Sequence, residues 1–133
     1  MIDSKLLSVS DGVILDVFIP EVYDDKTKEY LEDYEVKYIG FKVKTGNNII
    51  TLIKEDSSNY SNIFVNDKVK LEKYGYLYTY SGYLDKLSEM INIYNLSYTS
   101  KEKDQIFKKN VIPEEEFNRE PYYIIDYEFK KSL

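Results

Sequence analysis

Short runs of alternating apolar and polar residues dominate the first half of the chain. Within residues 11–20, the apolar residues Val13, Leu15, Val17 and Ile19 alternate with Ile14, Asp16 and Phe18, which predicts a β-strand closed by Pro20. Residues 34–44 show the same period and predict a second strand. One face of that strand carries Ile39, Phe41 and Val43, and the other carries Tyr38, Lys42 and Lys44.

A turn signal follows the second predicted strand. Thr45-Gly46-Asn47-Asn48 contains the two residue types that best tolerate a positive φ angle. Residues 49–54 therefore predict the return strand of a hairpin. Two flanking segments are polar: residues 21–33 predict a long, acidic, solvated loop, and residues 56–62 predict a polar loop.

The tyrosine-rich stretch of residues 65–80 predicts a fourth strand. Its first half alternates polar and apolar residues, and its second half has a tyrosine at every second position: Tyr74, Tyr76, Tyr78 and Tyr80. In an extended strand, all four rings share one face with Lys68 and Lys70. That face is either a core layer or a stacking surface, and the pattern leaves both interpretations open.

The hydrophobic period changes after Gly82. Residues 83–96 carry an apolar stripe at helical spacing, which predicts a helix packed on the sheet: Leu84, Leu87, Ile91 and Tyr94. Residues 99–110 are polar and predict a second short helix or an ordered loop. After a proline-flanked connection, residues 122–130 predict a last strand with one apolar face: Tyr123, Ile125, Tyr127 and Phe129.

These elements predict a single, mainly β domain over residues 1–133. A chain of 133 residues buries one hydrophobic core and is short for two ordinary domains. Residues 1–10 predict a flexible N-terminal arm or a weak edge element, residues 11–80 the first four strands, residues 81–112 a helical insertion and residues 122–130 the fifth strand. Five strands, with one or two helices between strands 4 and 5, favour a small antiparallel sheet that closes into a β-barrel.

Composition excludes several classes of function. The chain has no cysteine and no histidine, so it lacks thiolates and the commonest general base and metal ligand. No tuned cluster of carboxylate, tyrosine and lysine is recognisable, so we expect no enzyme, no metal site and no cofactor. No apolar run is long enough to cross a bilayer, and residues 1–5 lack a signal-peptide pattern, so we expect a cytoplasmic protein without a membrane partner.

Charge is distributed unevenly along the chain. The net charge is −6, and residues 21–35 contain seven acidic residues against two lysines. Residues 36–54 contain four lysines and no acidic residue. An acidic chain of this kind can still present a basic surface to a polyanion.

The order of these elements resembles the OB-fold of single-stranded-DNA-binding proteins. The hairpin of residues 34–54 is similar to the second and third strands of that family. Phe64-Val65-Asn66-Asp67-Lys68-Val69-Lys70-Leu71-Glu72 is similar to its loop and fourth strand. The resemblance covers residues 11–80 and 122–130. The chain departs from the family by placing its clearest helix after the fourth strand instead of between the third and fourth.

The resemblance implies a groove across strands 2 and 3, where bases stack on aromatic rings and phosphates lie near lysines. The chain offers those residue types: Tyr38, Tyr76 and Tyr78 for stacking, and Lys42, Lys44, Lys68 and Lys70 for phosphate contact. Arg119 is the only arginine, which argues against bidentate recognition of guanine. We therefore expect sequence-tolerant binding of single-stranded DNA by an accessory protein of a plasmid or phage. Binding to RNA and formation of a homo-oligomer stay open.

Other interpretations compete with this one. Tyrosine is a favoured strand residue that often sits at the rim of a core, so any one of the 15 tyrosines is more readily structural than functional. The acidic residues 21–35 and Glu114-Glu115-Glu116 also suit a DNA mimic or an inhibitor encoded by a mobile element, with a basic host protein as its partner. A structural part of a phage or conjugation assembly is a third class.

Overall fold

The computed structural model describes residues 3–31 and 37–132. Strands hold 46% and helices 24% of the described residues, which confirms the prediction of a mainly β chain. The described elements, in chain order, are β1 (Asp3–Phe18), β2 (Val22–Asp24), β3 (Glu29–Leu31), β4 (Tyr38–Thr45), β5 (Asn48–Glu55), β6 (Lys68–Leu77), α1 (Tyr80–Tyr94), α2 (Ser100–Asn110), α3 (Glu114–Phe117) and β7 (Tyr123–Lys131). The start of the second predicted strand, residues 34–36, lies outside the described residues.

The described residues group into two compact units. One, which we call the sheet unit, consists of residues 6–20, 37–74 and 125–132. The other, which we call the helical unit, consists of residues 3–5, 21–31 and 75–124. Compact units need not fold independently, so the single domain stays a prediction.

A five-stranded antiparallel sheet runs in the order β5-β4-β1-β6-β7 and curls into a half-barrel. The coiled antiparallel sheet of five strands is therefore confirmed. The helices α1, α2 and α3 follow β6 and precede β7, where the sequence predicts a helical insertion between strands 4 and 5.

The β4–β5 hairpin forms as its sequence pattern predicts. All eight residues of β4 pair with β5 in antiparallel register. Gly46 has a φ angle of 58° in the turn between them, a conformation that glycine adopts without strain. Phe41 and Val43 are fully buried, while Lys42 and Lys44 are exposed.

β1 corrects the sequence prediction in two respects. Residues 3–10, predicted as a flexible arm or a weak edge element, form the first half of the strand, because pairing within a sheet orders a segment that has no strong pattern of its own. The register between β1 and β4 shifts between Ile14 and Asp16. This bulge breaks the strict alternation: Leu15 and Asp16 are both exposed, between Ile14, which is fully buried, and Val17, which packs against the core.

Nine buried residues form the core of the sheet unit: Ile14, Phe41, Val43, Leu52, Tyr60, Ile63, Val69, Leu71 and Phe129. The ring of Phe129 contacts two others, with centroid distances of 5.1 Å to Phe41 and 5.0 Å to Tyr60. Tyr60 belongs to the loop that the sequence predicts as polar. Its ring packs in the core, so Tyr60 has a structural role that its polar neighbours in the sequence did not indicate.

Lys54 joins β5 and β7, which stand at opposite ends of the strand order. Its ammonium group donates a hydrogen bond to the backbone oxygen of Tyr127. It also lies 3.7 Å from a carboxylate oxygen of Asp126 and 3.7 Å from one of Glu128. The Lys54 side chain is only 11% exposed, so these contacts are poorly screened by water. They hold the two outer strands of the curled sheet together.

The acidic segment before residue 32 folds in the helical unit, where the sequence predicts only a solvated loop. β2 and β3 form a two-stranded antiparallel sheet, in which the rings of Tyr23 and Tyr30 meet edge to face at 5.4 Å. The Tyr23 amide donates to the Leu96 carbonyl at 3.0 Å, and the Ser100 amide donates to the Asp25 carboxylate at 2.8 Å. The loop prediction is wrong because these long-range bonds, invisible in the local pattern, stabilise the hairpin.

The tyrosine-rich strand ends earlier than its alternation predicts. β6 ends at Leu77, and the Thr79 hydroxyl accepts a hydrogen bond from the Gly82 amide at 3.1 Å, which caps α1. Tyr80 therefore lies in a helix. The prediction that four tyrosines share one strand face is wrong. Tyr78 and Tyr80 instead pack against a buried cluster of the helical unit: Tyr83, Phe117 and Ile124.

The remaining helices follow the pattern more closely. Ile91 of the predicted apolar stripe is buried, and Leu84 and Leu87 pack against the helical unit's cluster. α2 begins with a capping box formed by Thr99 and Glu102, so the helix alternative for residues 99–110 is confirmed. Among the described residues, no helix combines the length and apolar character needed to span a bilayer.

β7 begins at Tyr123, and its predicted apolar face is only partly correct. Phe129 is buried and Tyr127 packs against the sheet unit's core. Ile125, predicted to face the core, is 39% exposed, whereas its neighbour Ile124 is 8% exposed. The alternation breaks because Ile124 packs in the helical unit's cluster while Phe129 packs in that of the sheet unit.

Replacing Lys54 with alanine should destabilise the protein. Asp126 and Glu128 then lose their shared cation, and we expect the free energy of unfolding to fall by about 1–3 kcal/mol. Urea unfolding followed by circular dichroism measures this. Lys42→Ala, at an exposed position on the neighbouring strand β4, is the matched control and should change stability by less than about 0.5 kcal/mol. Equal effects of the two substitutions would contradict a role for Lys54 in joining β5 and β7.

The Tyr60 hydroxyl makes part of the stability pH-dependent. Burial, reinforced by the 2.6 Å hydrogen bond to Glu128, raises the pKa of Tyr60 above its ordinary value. The unfolded chain therefore loses this proton first, and stability falls as the pH rises above about 10. Tyr60→Phe lacks this hydroxyl, so the difference in free energy of unfolding between the parent and Tyr60→Phe should become smaller between neutral pH and about pH 11. Tyr98→Phe, at a position that is 42% exposed, should show no such change.

Candidate nucleic-acid interface

The four predicted phosphate-contacting lysines lie on exposed positions of two strands of the sheet unit. On β4, Lys42 and Lys44 alternate with buried Phe41 and Val43. On β6, the exposed residues Lys68 and Lys70 flank buried Val69. Because successive strand side chains point to opposite faces, all four ammonium groups leave the core side of the sheet. We call this set, Lys42, Lys44, Lys68 and Lys70, the lysine face.

A groove of about 650 Å³ brings three members of the lysine face together: Lys44, Lys68 and Lys70. Asp11 is the acidic residue among the groove's lining residues, so the lining carries a net positive charge in a chain whose net charge is −6. Gly12 lies beneath, where an added Cβ atom would stand 2.8 Å from Cγ1 of Val43. The glycine thus allows β1 to approach the core closely.

The start of β6 is ordered by a set of short bonds that fix Lys68. The Ile14 amide donates to the Asp67 carbonyl at 2.9 Å, and the Asn66 amide donates to the Ile14 carbonyl at 2.8 Å. The Asp67 carboxylate accepts from the Phe64 amide at 2.8 Å and lies 3.2 Å from the Lys131 ammonium. The hydrogen bond from the Phe64 amide, and to a lesser extent the Lys131 ammonium, lower the pKa of the Asp67 carboxyl group below its ordinary value. Three hydrogen bonds and an ion pair therefore hold the turn that precedes Lys68.

Lys70 of the lysine face forms an ion pair with a carboxylate. Its Nζ lies 2.6 Å from Oδ1 of Asp11, and the two side chains are 51% and 81% exposed. An ion pair this exposed contributes at most about 1 kcal/mol. A phosphate oxygen can therefore replace the Asp11 carboxylate at little cost.

Phe18 adds an aromatic ring to the solvent side of β4. It pairs with Gly40, and a Cβ atom at Gly40 would overlap the Phe18 ring. Gly40 has the same parity along β4 as Tyr38 and Lys42, so the ring lies across the strand between these two positions. Phe18 and Tyr38 are both half-buried. Phe18 and Tyr38, which we call the aromatic surface, thus lie next to Lys42 of the lysine face.

The three predicted stacking tyrosines belong to two different units of the structure. Tyr38 lies on β4 in the sheet unit and shares a strand face with Lys42 and Lys44. Tyr76 is half-buried in the part of β6 that belongs to the helical unit. Tyr78 follows β6 and packs against the helical unit's core. The prediction that Tyr78 shares a strand face with the lysines is wrong, because the strand has already ended.

Protein-family models, curated protein sequences and solved structures were all compared with the chain. None of them matches it. The chemistry of the site therefore rests on its own geometry.

The exposed side chains of the lysine face and its aromatic neighbours are suited to binding a ligand. Across residues 3–31 and 37–132, no three acidic side chains gather closely enough to hold a metal ion. The lysine face offers mobile point charges, and Phe18 and Tyr38 offer flat apolar surfaces. Together these groups suit a flexible, negatively charged ligand with aromatic parts.

Phe18 is the functional candidate that sequence patterns did not single out. The available signal was Gly40, because a glycine inside a strand often marks a place where another group approaches the backbone. The partner of Gly40 depends on the register between β1 and β4. That register contains a bulge, so the pairing could not be read from alternation alone.

Gly40→Ala should displace the Phe18 ring from β4. We expect the crowding to lower the free energy of unfolding by about 1–3 kcal/mol. A second substitution, Phe18→Leu, should relieve part of this loss because the ring that the new methyl group meets is gone. Urea unfolding of the two single variants and the double variant measures the coupling. Strictly additive losses would contradict the contact between Phe18 and Gly40.

Proposed function

We propose that the sheet unit binds single-stranded DNA without strong sequence preference, in the manner of an OB-like half-barrel. The observation that carries the proposal is the groove in which Lys44, Lys68 and Lys70 converge. A partly open five-stranded barrel that binds oligonucleotides across its second and third strands is the pattern of that fold. The strands in those positions here would be β4 and β5, and the groove lies on β4, β1 and β6 beside them.

The lysine face supports contact with a phosphate backbone. Lys42 and Lys44 are two residues apart on one strand, so their Cα atoms are about 7 Å apart. Lys68 and Lys70 repeat that spacing on β6. Each phosphate that a lysine neutralises releases condensed counterions, so affinity for a single strand should fall with added salt by about 0.7 log unit per log unit of salt and contact.

The aromatic surface supports a preference for unpaired bases. Phe18 lies across β4 beside Tyr38, and a base stacked on such a ring contributes about 1–3 kcal/mol whatever its identity. In a duplex the base faces are already stacked on one another. A single strand is therefore the form of DNA that can use the lysines and the rings together.

Lysine chemistry supports tolerance of sequence. Guanine recognition in structures relies most often on a bidentate contact, which the fork of an arginine provides well. Arg119 is the only arginine of the chain, and it belongs to the helical unit, where its guanidinium lies 3.8 Å from Glu115. Binding at the lysine face would thus follow the backbone and the flat faces of the bases.

A second candidate function is supported by the β2–β3 hairpin. Tyr30 is 56% exposed and Leu31 is 38% exposed, next to the acidic residues Asp24 and Glu29. Exposed aromatic and apolar side chains with acidic neighbours suit the surface of a basic protein. The chain would then act as an inhibitor or DNA mimic and would not bind nucleic acid.

Fluorescence anisotropy of a labelled, mixed-sequence oligonucleotide distinguishes the two candidates. We expect the single strand to bind more tightly than the duplex, with affinity that falls as salt increases. An RNA strand of the same sequence tests discrimination at the ribose. Absence of binding to every nucleic acid at low salt would overturn the proposal and favour the hairpin as a protein-binding surface.

Variants locate the interface. Lys44→Ala and Lys68→Ala should each weaken binding and reduce the salt slope by about 0.7, because one phosphate contact is lost. Phe18→Leu should weaken binding about 5- to 100-fold with an unchanged salt slope, because stacking is not ionic. Lys101→Ala, an exposed lysine of α2, is the control and should bind like the parent. Normal binding by Lys44→Ala, Lys68→Ala and Phe18→Leu would place any interface elsewhere.

A further inference from the structure

β1 extends beyond the strand that covers one of its edges. β4 pairs with β1 from Val13 to Phe18, and the side-chain bond from Thr45 to Ser10, 3.2 Å long, marks the end of β4. β1 continues past this point as a regular strand. Its residues before Ser10 in the sheet unit therefore present backbone N–H and C=O groups on the side that β4 no longer covers. We call residues 6–10 the β1 edge.

The β1 edge has the character of a pairing surface. Leu6, Leu7 and Val9 are 49%, 42% and 53% exposed, so apolar side chains stand on both faces of the strand. Natural edge strands are usually protected by charged side chains, proline or a bulge. The sequence Leu-Leu-Ser-Val-Ser has no charge and no proline, and the bulge of β1 lies beyond it, between Ile14 and Asp16.

We propose that the β1 edge pairs with the β1 edge of a second copy of the chain. Antiparallel pairing about Ser8 sets Ser8 opposite its own counterpart. Leu7 then lies opposite Val9 of the second copy, and Leu6 lies opposite Ser10. Each pair joins two odd-numbered or two even-numbered residues. Paired side chains therefore point to the same face, and the two strands continue one sheet.

The self-complementary pattern favours a second copy as the occupant. The apolar contact between Leu7 and Val9 occurs twice, once on each side of a two-fold axis, which closes the assembly at a dimer. Charge favours the same partner. Two copies with a net charge of −6 each repel one another except where their surfaces are neutral, and the β1 edge has no charged residue.

The size of the edge determines how strong this association is. Five residues per copy form an interface well below the roughly 1,200–2,000 Å² of stable complexes. The dimer is therefore weak and depends on protein concentration. It does not require nucleic acid, so it is independent of the proposed function.

Cysteine cross-linking tests the register of the pairing. The chain contains no cysteine, so Ser8→Cys introduces a unique thiol. Opposed residues of antiparallel strands have Cα atoms about 4.5–5.5 Å apart, within the range that a disulfide spans. Ser61→Cys, an exposed position in the loop after β5, is the matched control.

Under a mild oxidant at about 100 μM protein, we expect Ser8→Cys to form the disulfide dimer at least about tenfold faster than Ser61→Cys, since pairing holds its thiols at an effective concentration of the order of millimolar. Equal rates for the two variants would overturn the proposed register.

Sedimentation velocity of cysteine-free protein provides the second test. The parent should shift from 15.8 kDa towards twice that mass as its concentration rises. Val9→Lys should stay monomeric, while Ile49→Lys, at a position on β5 that is 61% exposed, should dimerise like the parent. A parent that stays monomeric at the highest attainable concentration, or a dimer that survives Val9→Lys, would overturn the proposal.

Discussion

The alternation of side chains along β4 is the constraint on which the sheet unit depends. β4 lies between β1 and β5, so every second residue must enter the core and every other one must leave it. Phe41 and Val43 fill the core, and this commits Lys42 and Lys44 to the opposite face. A shift of the register by one residue would bury two charges and expose the core. The same interaction that stabilises the fold therefore positions the candidate interface.

A curled sheet with two free ends needs a second device to keep its shape. Lys54 supplies it by contacting the Tyr127 carbonyl and the carboxylates of Asp126 and Glu128. The Tyr60 hydroxyl donates a hydrogen bond to the Glu128 carboxylate, so this polar network also includes a residue of the core. Lys54 was counted with the basic region of the sequence, but its ammonium group is committed to structure. The lysines of this basic segment thus fall into two groups: Lys54 stabilises the fold, whereas Lys42 and Lys44 belong to the candidate interface.

The parts of the fold that were predictable are those in which local pattern and tertiary packing agree. The β4–β5 hairpin has a clear period and a turn glycine, and both were read correctly. The end of β6 was misjudged because tyrosines continue at alternate positions after the Thr79 cap has started a helix. The β2–β3 hairpin depends on bonds to Leu96 and Ser100, which no local pattern contains.

The candidate site was predictable to a similar extent. Exposed strand lysines follow from alternation alone, so Lys42, Lys44, Lys68 and Lys70 occupy the expected kind of position. The convergence of Lys44, Lys68 and Lys70 in one groove depends on β1 lying between β4 and β6, which the sequence did not reveal. Phe18 required the register of a bulged strand, and Tyr78 required the boundary of a helix. Residue chemistry was thus easier to predict than residue proximity.

The central claim, that the lysine face binds single-stranded DNA, is tested most directly by nuclear magnetic resonance. Isotope-labelled protein would be titrated with an unlabelled oligothymidylate while backbone amide signals are followed. The account predicts that the largest shifts occur at Phe18 and at the lysine face on β4 and β6. Shifts confined to the β2–β3 hairpin, or unchanged spectra at saturating oligonucleotide, would contradict it.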